Sequence, residues 1–183
     1  MLNKDERADL LRLARRSIAA RLEGVGNPAE GAGNGPGDRV LAGAFVSLHL
    51  HGDLRGCIGY PWGDRVLREV VAQCAAQAAT EDPRFPPLSP DELTEVGIEI
   101  SVLGGIEVIK DVSEIVVGRH GLIAEQGYRR GLLLPQVASE RQWDRETFLA
   151  HTCMKAGLDP DAWKHGARLF RFEAEVFGEV PRD

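Results

Sequence analysis

The sequence predicts an α+β fold, in which a largely antiparallel or mixed sheet is flanked by helices. About six stretches have the apolar or alternating pattern of strands, and most of them are joined to the next by a hairpin. Three longer stretches repeat apolar residues at helical spacing, without alternating regularly with the strands. A doubly wound parallel sheet would need that alternation, so we expect hairpins to dominate the sheet.

Three helices follow from the helical stretches. The first is predicted over residues 4–23, between a capping box at its start and a glycine at its end. The second is expected to begin after Asp64, which is a suitable N-cap, and to stop near Thr80, ahead of a proline. The third runs from about Asp144 and ends with a glycine C-cap at Gly157.

The strands come mainly in neighbouring pairs. Residues 40–50 form an apolar strand, and residues 54–60 return beside it as the second strand of a hairpin. Residues 96–102 alternate between apolar and polar or small side chains, as a half-buried strand does. Residues 121–135 have the pattern of another hairpin, and the last strand is predicted over residues 167–178.

A length of 183 residues suits one domain. We predict a single domain with two lobes over residues 1–183. The glycine-rich segment at residues 24–37 cannot hold regular structure at low cost, and we predict a flexible loop there. It lacks the GK[ST] ending of a phosphate-binding loop, and no strand leads into it. A tolerated surface insertion is therefore the simpler interpretation.

Composition narrows the classes of partner and compartment. The formal net charge is -6, and 22 Lys and Arg residues are spread among 28 Asp and Glu residues, which argues against nucleic acid as a partner. No run of about 18 apolar residues occurs, so no membrane association is expected. The three cysteines are too few and too irregularly spaced for a disulfide framework. We expect a cytoplasmic protein with reduced thiols.

The segment LRGCIG places a thiol and a guanidinium on one side of the predicted second strand. Arg55 and Cys57 are two positions apart, so a regular strand projects both from the same face. Glu99 and Ser101 project together from the strand over residues 96–102, opposite its aliphatic row. We hypothesise that both polar rows line one side of a shared sheet and form a small site.

Four further residues are candidates for binding at this site. Gly56 and Gly59 would let a substrate or partner approach the backbone closely, and their amides can bind an oxyanion. Arg84, from the proline-stiffened segment EDPRFPPLSP, and Gln136, from the PQV segment, are the next polar candidates.

The candidate catalytic residues are Cys57, Arg55 and Glu99. A free thiol has a pKa of about 8.5, and a neighbouring guanidinium lowers that pKa by stabilising the thiolate. Glu99 raises it, unless the carboxylate pairs with Arg55 instead. The alternative is structural, because cysteine is often a small inert hydrophobe and Gly56 and Gly59 also permit close packing.

His49 and His51 form an HxH pair, a spacing that places both rings on one face of a strand. Such a pair holds a transition metal if a carboxylate or thiol joins it, but no third ligand is fixed by spacing. We therefore predict no metal site, and solvated histidines beside a turn are the alternative. The sequence also contains no GxGxxG after a strand and no P-loop, so no cofactor is predicted.

Six motifs in fixed order, followed by Trp163, resemble the AMMECR-one domain family, whose microbial members are called AmmeMemoRadiSam system protein A. The resemblance extends over about residues 5–178, and LRGCIG together with DPRFPPL is its most specific part. The motifs are LRGCIG at 54–59, EDPRFPPL at 81–88, EISVL at 99–103, GLI at 121–123, RRGLLLPQV at 129–137 and FLAHTCMKAGL at 148–158.

The resemblance implies a two-lobed α+β fold with the LRGCIG segment near a cleft between the lobes. It also implies two partners, a Memo-like protein related to metal-dependent extradiol dioxygenases and a radical S-adenosylmethionine protein. It implies no settled activity, small-molecule substrate or oligomeric state. Two hypotheses follow: a component of a modification system with a site centred on Cys57, or a non-catalytic module whose LRGCIG surface docks a partner.

Overall fold

A computed structural model of the chain describes residues 2–26 and 40–179, and it confirms the predicted α+β class. The chain divides into two units, one formed by Met1–Leu103 with Glu175–Asp183 and the other by Gly104–Ala174. Each unit contains an antiparallel sheet flanked by helices. The predicted flexible loop over residues 24–37 lies, from residue 27 onward, outside the described residues.

The first unit is built on a central strand that pairs antiparallel with a strand on either side. The central strand is β1, and it pairs with both β2 and β3. Two helices, α1 and α2, cover one face of this sheet. The bounds of these elements are α1 Lys4–Glu23, β1 Ala44–Leu50, β2 Asp53–Tyr60, α2 Leu67–Thr80 and β3 Gly97–Leu103.

Both helices of the first unit lie where the sequence predicts them, although α2 begins slightly later. The α1 helix has the predicted capping box, in which Asn3 and Glu6 exchange side-chain and backbone hydrogen bonds. The α2 helix begins at Leu67, because Asp64 is not its N-cap. The Asp64 carboxylate instead accepts a hydrogen bond from the Tyr60 hydroxyl at 2.9 Å.

The core of the first unit lies between the helices and the aliphatic face of the sheet. The alternation predicted for β3 is confirmed, because its aliphatic residues are buried on this face together with those of β1. The core contains, among others, Val46, Leu48, Ile98 and Ile100 from the sheet and Leu10, Ile18, Val70 and Val71 from the helices. The polar positions of β1, β2 and β3 therefore face the opposite side of the sheet.

The pairing of β1 with β2 contains one irregularity that matters for the site. Leu48 lies opposite Gly56, but the next residue, His49, lies opposite Leu54. The register thus shifts by one residue, and Arg55 is the extra residue on β2, as in a β-bulge. The pairing of β1 with β3 shows no such shift.

The second unit places β5 between β6 and β7 in antiparallel order. The predicted hairpin is confirmed as far as Leu133, but Pro135 begins a short helix that the sequence analysis did not predict. Proline is well suited to that first helical position. The remaining bounds are β4 Glu107–Val108, β5 His120–Gln126, β6 Arg129–Leu133, α3 Pro135–Glu140, α4 Arg145–Lys155 and β7 Arg168–Gly178.

The second unit has its own core, in which α4 packs on the sheet. Its largest fully buried side chains include Phe148 and Leu149 of α4 and Leu122 of β5. None of the helices in residues 2–26 and 40–179 has the length and apolar character that crossing a bilayer requires.

Candidate functional site

Cys57, Ser47 and Glu99 form one row across the three strands of the first unit. Ser47 of β1 lies opposite Cys57 of β2 on one side and opposite Glu99 of β3 on the other. The Ser47 hydroxyl is 3.3 Å from the Cys57 sulfur, to which it donates a hydrogen bond. The structure thus brings Cys57 and Glu99 to the same face, as predicted, with Ser47 between them.

Sequence analysis did not identify Ser47, although the alternation of β1 contains the necessary signal. Ser47 lies between Val46 and Leu48, which are both fully buried in the core. A polar side chain at the alternate position of such a strand must face the other side of the sheet. Ser47 therefore belongs to the polar face, and we refer to Cys57, Ser47 and Glu99 as the Cys57 row.

The next row along the same face contains Gly59, Phe45 and Ser101. Phe45 lies opposite both other residues, and its ring covers Gly59 so closely that a Cβ there would overlap the ring. Ser101 is buried, with 1% of its surface exposed. Gly59 therefore provides space for an aromatic ring of the protein itself, and the close approach of a ligand at this glycine stays a prediction.

Gly56 lies on the opposite face from Cys57 and packs against α2. A Cβ at this position would overlap the backbone carbonyl oxygen of Ala78. The absent side chain therefore allows the strand to approach the helix backbone. This contact explains the glycine in structural terms, in place of the expectation that Gly56 receives a substrate or partner.

Arg55 does not lie beside the sulfur, which corrects the pairing expected from regular alternation. Its guanidinium donates to both carboxylate oxygens of Glu92, at 2.8 and 3.1 Å, and to the Pro86 carbonyl at 2.9 Å. Only 13% of its side chain is exposed. The bulge at Arg55 interrupts the alternation, so the residue binds the proline-rich segment instead of stabilising a thiolate.

Arg84 is the guanidinium that lies close to Cys57, and Asp82 holds it there. The Asp82 carboxylate accepts hydrogen bonds from Nε and Nη2 of Arg84, at 2.9 and 2.7 Å, and from the Cys57 backbone N–H at 2.9 Å. Arg84 Nη2 is also 3.5 Å from the Cys57 carbonyl oxygen. The hydrogen bonds from Arg84 hold the pKa of the Asp82 carboxyl far below its usual range.

Asp82 is a second residue that sequence analysis did not single out. Its side chain is only 3% exposed, whereas 52% of the Arg84 side chain is exposed. A buried carboxylate needs partners of this kind to remain ionised. The sequence signal for this pairing was the position of Asp82 two residues before Arg84, in a segment stiffened by prolines.

Burial raises the pKa of the Cys57 thiol above its ordinary value. The hydrogen bond from Ser47 and the charge of Arg84 both lower that pKa, but they do not offset the burial. The carboxylates of Asp82 and Glu99 raise it further. At neutral pH the residue is therefore a protonated thiol, not an activated thiolate.

The other two cysteines lie in the two cores, and all three are free thiols. Burial raises the pKa of Cys74 to about 12, and burial likewise raises the pKa of Cys153. Neither side chain faces the polar side of the first unit's sheet. Cys57 is thus the one partly accessible thiol of the chain.

The remaining sequence candidates are placed differently. Gln136 lies in α3 of the second unit, whereas the other candidates lie in the first, so its membership of the site stays a prediction. His51 lies in the β1–β2 turn with a φ of 53°, and its ring is 3.4 Å from the Glu95 carboxylate. The turn therefore ends the alternation that would put its ring beside that of His49. Within the described residues, no three His, Cys, Asp or Glu side chains converge to hold a metal ion.

Comparison with known proteins decides the family. The model of the AMMECR1 family matches residues 11–177, which is nearly the whole chain. This chain belongs to the AMMECR1 family. The motifs that suggested the resemblance, LRGCIG and DPRFPPL, lie within the matched residues, and the resemblance is confirmed.

Relatives of this AMMECR1 protein include archaeal proteins of similar length. A protein of Methanosarcina mazei is 44% identical over 191 residues, which cover 100% of this chain and 96% of the relative. Protein MJ0810 of Methanocaldococcus jannaschii is 48% identical over 147 residues, which cover 75% of this chain and 73% of the relative. Their names describe no activity.

A solved structure resembles the AMMECR1 chain over almost its full length. It is the crystal structure of the uncharacterized protein PH0010 from Pyrococcus horikoshii, with a TM-score of 0.90 and 39% sequence identity. The match covers 99% of this chain and 95% of that protein. The α+β architecture is therefore shared with an experimentally determined member of the fold.

Proposed function

We propose that this AMMECR1 protein is a component of a modification system that acts with a Memo-like protein and a radical S-adenosylmethionine protein. In this proposal the Cys57 row is the surface that binds the substrate. The observation that carries the proposal is the common orientation of Cys57 and Glu99, which flank Ser47 on one face of the sheet. A partly accessible thiol that shares one sheet face with a carboxylate is a functional arrangement that a purely structural sheet does not require.

Because the pKa of Cys57 is raised, we infer that a substrate binds before any reaction takes place at the sulfur. In the free protein the sulfur is protonated, and the negative charge of Glu99 contributes to that state. A substrate that neutralises Glu99 would remove one of the causes and lower the pKa of the thiol. Burial is the largest cause of the raised pKa and Glu99 the smallest, so the substrate would make the sulfur more reactive without removing the main cause of its low acidity.

Arg84 adds a fixed positive charge at the edge of the Cys57 row. Its guanidinium is anchored by Asp82, yet about half of the side chain remains exposed. An anchored guanidinium loses little conformational freedom when it binds a carboxylate or phosphate. The site therefore presents a cation on one side of the thiol and an anion, Glu99, on the other.

The proposal is tested by the rate of alkylation of Cys57 with iodoacetamide as a function of pH, followed by mass spectrometry. The protein with Cys57→Ser is the control for reaction at Cys74 and Cys153. We expect an apparent pKa above the value of about 8.5 for a free cysteine. An apparent pKa well below that value would show an activated thiolate in the free protein. It would overturn the proposal that the substrate binds before the sulfur becomes reactive.

Membership of the system is tested separately, by co-purification of the tagged protein with a Memo-like and a radical S-adenosylmethionine protein from the same organism. We expect at least one of them to be enriched, and to be lost in a variant with both Glu99→Gln and Arg84→Gln. If neither protein is enriched over an untagged control, the proposed partnership is rejected.

A docking module is the second candidate function, and the exposed half of Arg84 favours it. In this alternative the LRGCIG surface binds a partner without any reaction at sulfur, and Arg84 pairs with a carboxylate or phosphate of that partner. Arg84→Gln would then abolish capture of the partner, while Cys57→Ser would leave it unchanged. Loss of capture in Cys57→Ser alone would favour the substrate-binding site instead.

A further inference from the structure

A cavity of about 440 Å³ lies at the end of the polar face of the first unit's sheet. It is formed within that unit, by the end of β1, the start of β3, Arg15 of α1, and Gly178 and Glu179 at the end of β7. Its size falls within the range of small-molecule sites. The lining residues used below are Arg15, His49, Glu95, Glu99 and Glu179.

Two polar groups in the lining have no hydrogen-bond partner in residues 2–26 and 40–179. The Nε2 atom of His49 is buried and has no hydrogen-bond partner among the described residues. The carboxylate of Glu99 forms no hydrogen bond or ion pair with the described residues either. A buried imidazole nitrogen without a partner is costly, so a molecule bound in the cavity would gain a hydrogen bond at His49 Nε2.

These two groups are diagonal neighbours on adjacent strands. His49 lies opposite Gly97 and Ser47 lies opposite Glu99, so the His49 and Glu99 side chains project from the same face. Diagonal neighbours on an antiparallel pair are about 7–8 Å apart, which long side chains can bridge. A single small group in the cavity is therefore able to contact both.

The charge of the cavity is negative. The one guanidinium in its lining, that of Arg15, is bound by both carboxylate oxygens of Glu179 and by the carbonyl oxygens of Leu93 and Val96. That cation is thus already neutralised. Glu95 is 3.4 Å from the exposed His51 ring, and Glu99 has no cation paired with it among the described residues.

We infer that the cavity binds a primary ammonium group, on a small molecule or on a lysine side chain. Such a group carries a positive charge for Glu99 and has three N–H donors, one of which is able to reach His49 Nε2. An anionic ligand would meet the carboxylates of Glu95, Glu99 and Glu179, and the described lining residues offer it no unpaired guanidinium or ammonium group. A metal ion is less suited, because no three metal-binding side chains converge among the described residues.

This inference deepens the proposed function and rests on it for the link to Cys57. Glu99 lies both in the cavity lining and in the Cys57 row. An ammonium bound there would neutralise one of the charges that keep the thiol protonated. The chemical class of the substrate is accordingly an amine, and its binding would make the thiol somewhat more acidic.

The test is a titration of the ¹⁵N-labelled protein with 1-butylamine, followed by amide chemical shifts, with 1-butanol and butyrate as neutral and anionic analogues. We expect saturable shifts at Gly97 and Glu99 for the amine at concentrations up to about 100 mM, since a ligand this small binds weakly. The same titration with Nα-acetyl-lysine-N-methylamide distinguishes a small-molecule amine from a lysine side chain. The compound that binds more tightly indicates which of the two the cavity takes.

The variants make the test specific. Glu99→Gln is expected to weaken amine binding at least about tenfold, because it removes a charge-assisted hydrogen bond while keeping the shape of the side chain. His49→Phe keeps the ring but removes Nε2, and it is also expected to weaken binding. Glu146→Gln, an equal change of charge at an exposed position of α4 in the second unit, is the matched control and is expected to bind normally.

Several results would overturn the inference. They are equal binding of 1-butanol, preferred binding of butyrate, no saturable shift, or equal binding by Glu99→Gln and Glu146→Gln. Because the titration measures binding and not thiol reactivity, its failure would leave the alkylation and co-purification results of the proposed function intact. Conversely, an unreactive Cys57 would not affect the titration.

Discussion

The buried carboxylate of Asp82 accepts a hydrogen bond from the backbone N–H of Cys57 at 2.9 Å. Because β2 lies at the edge of its sheet, this N–H has no neighbouring strand on that side. The same carboxylate binds the Arg84 guanidinium through two hydrogen bonds. Asp82 therefore fixes the backbone of the thiol and the nearby cation with a single side chain.

Replacing Asp82 by Asn is expected to lower the free energy of unfolding by about 1–3 kcal/mol at pH 7, because charge-assisted hydrogen bonds are lost in a buried place. Urea denaturation measures the change. Asp91→Asn is the control, since the exposed Asp91 side chain accepts no capping hydrogen bond from the short helix that follows it. This variant should unfold like the wild type. Equal stability of Asp82→Asn and the wild type would contradict the role assigned to Asp82.

The effect of Asp82 should depend on pH in a defined direction. Its folded-state pKa lies far below the unfolded value of about 3.9, so its contribution is fully present above that value. As the pH falls below about 4, the contribution is progressively lost. The stability difference between wild type and Asp82→Asn is therefore expected to shrink in acid, and a constant difference would count against it.

Gly56→Ala is expected to destabilise the first unit by at least about 1–3 kcal/mol, because the added methyl group would overlap the backbone of α2 at Ala78. A helix backbone cannot move aside as a flexible side chain does. Gly97→Ala is the matched control in the same sheet, since a Cβ there comes no closer than 3.9 Å to the His49 carbonyl oxygen. Thermal unfolding of both variants tests the comparison, and equal melting temperatures would contradict it.

Arg55→Ala is expected to cost about 1–3 kcal/mol of stability without changing the reactivity of Cys57, because its guanidinium holds Glu92 and Pro86 and not the sulfur. Arg12→Ala is the control: among the residues that the structure describes, this exposed arginine pairs with Asp9, so a loss of at most about 0.5 kcal/mol is expected. An altered alkylation rate of Cys57 in Arg55→Ala would refute the assignment.

The pairing of Arg55 with Glu92 also predicts sensitivity to acid. The hydrogen bond from Arg55 lowers the pKa of Glu92 to about 2. The stabilisation by Glu92 is therefore present above its unfolded pKa of about 4.3 and is lost as the pH falls towards 2. In Arg55→Ala this acid-dependent loss should be smaller than in the wild type.

Local patterns were sufficient to predict one part of the site and insufficient for the other. The two-residue period of a strand placed Cys57 and Glu99 on one face, because this period depends only on the backbone of each strand. The displacement of Arg55 depends on a one-residue register shift between two strands, which leaves no mark in either strand alone. The role of Asp82 depends on a contact across 25 positions of the chain, which no local pattern encodes.

The acidity of the Cys57 thiol should respond in opposite directions to its two charged neighbours. The Glu99 carboxylate raises the pKa of the thiol, so Glu99→Gln is expected to lower it. The Arg84 guanidinium lowers that pKa, so Arg84→Gln is expected to raise it. At pH 8 the first variant should react with iodoacetamide faster than the wild type and the second more slowly, each by about two- to tenfold.

Glu99→Gln and Arg84→Gln each change the net charge by one unit, so a control must separate the effect of the local charge from that of the net charge. Glu99→Gln and the control Glu146→Gln make the same change of net charge, yet only Glu99 lies in the Cys57 row. The control should therefore react at the wild-type rate. Two results would contradict this prediction: Glu146→Gln accelerates alkylation as much as Glu99→Gln, or Arg84→Gln also accelerates it. Either result would show that the charges of Glu99 and Arg84 do not shift the pKa of the Cys57 thiol as the geometry requires.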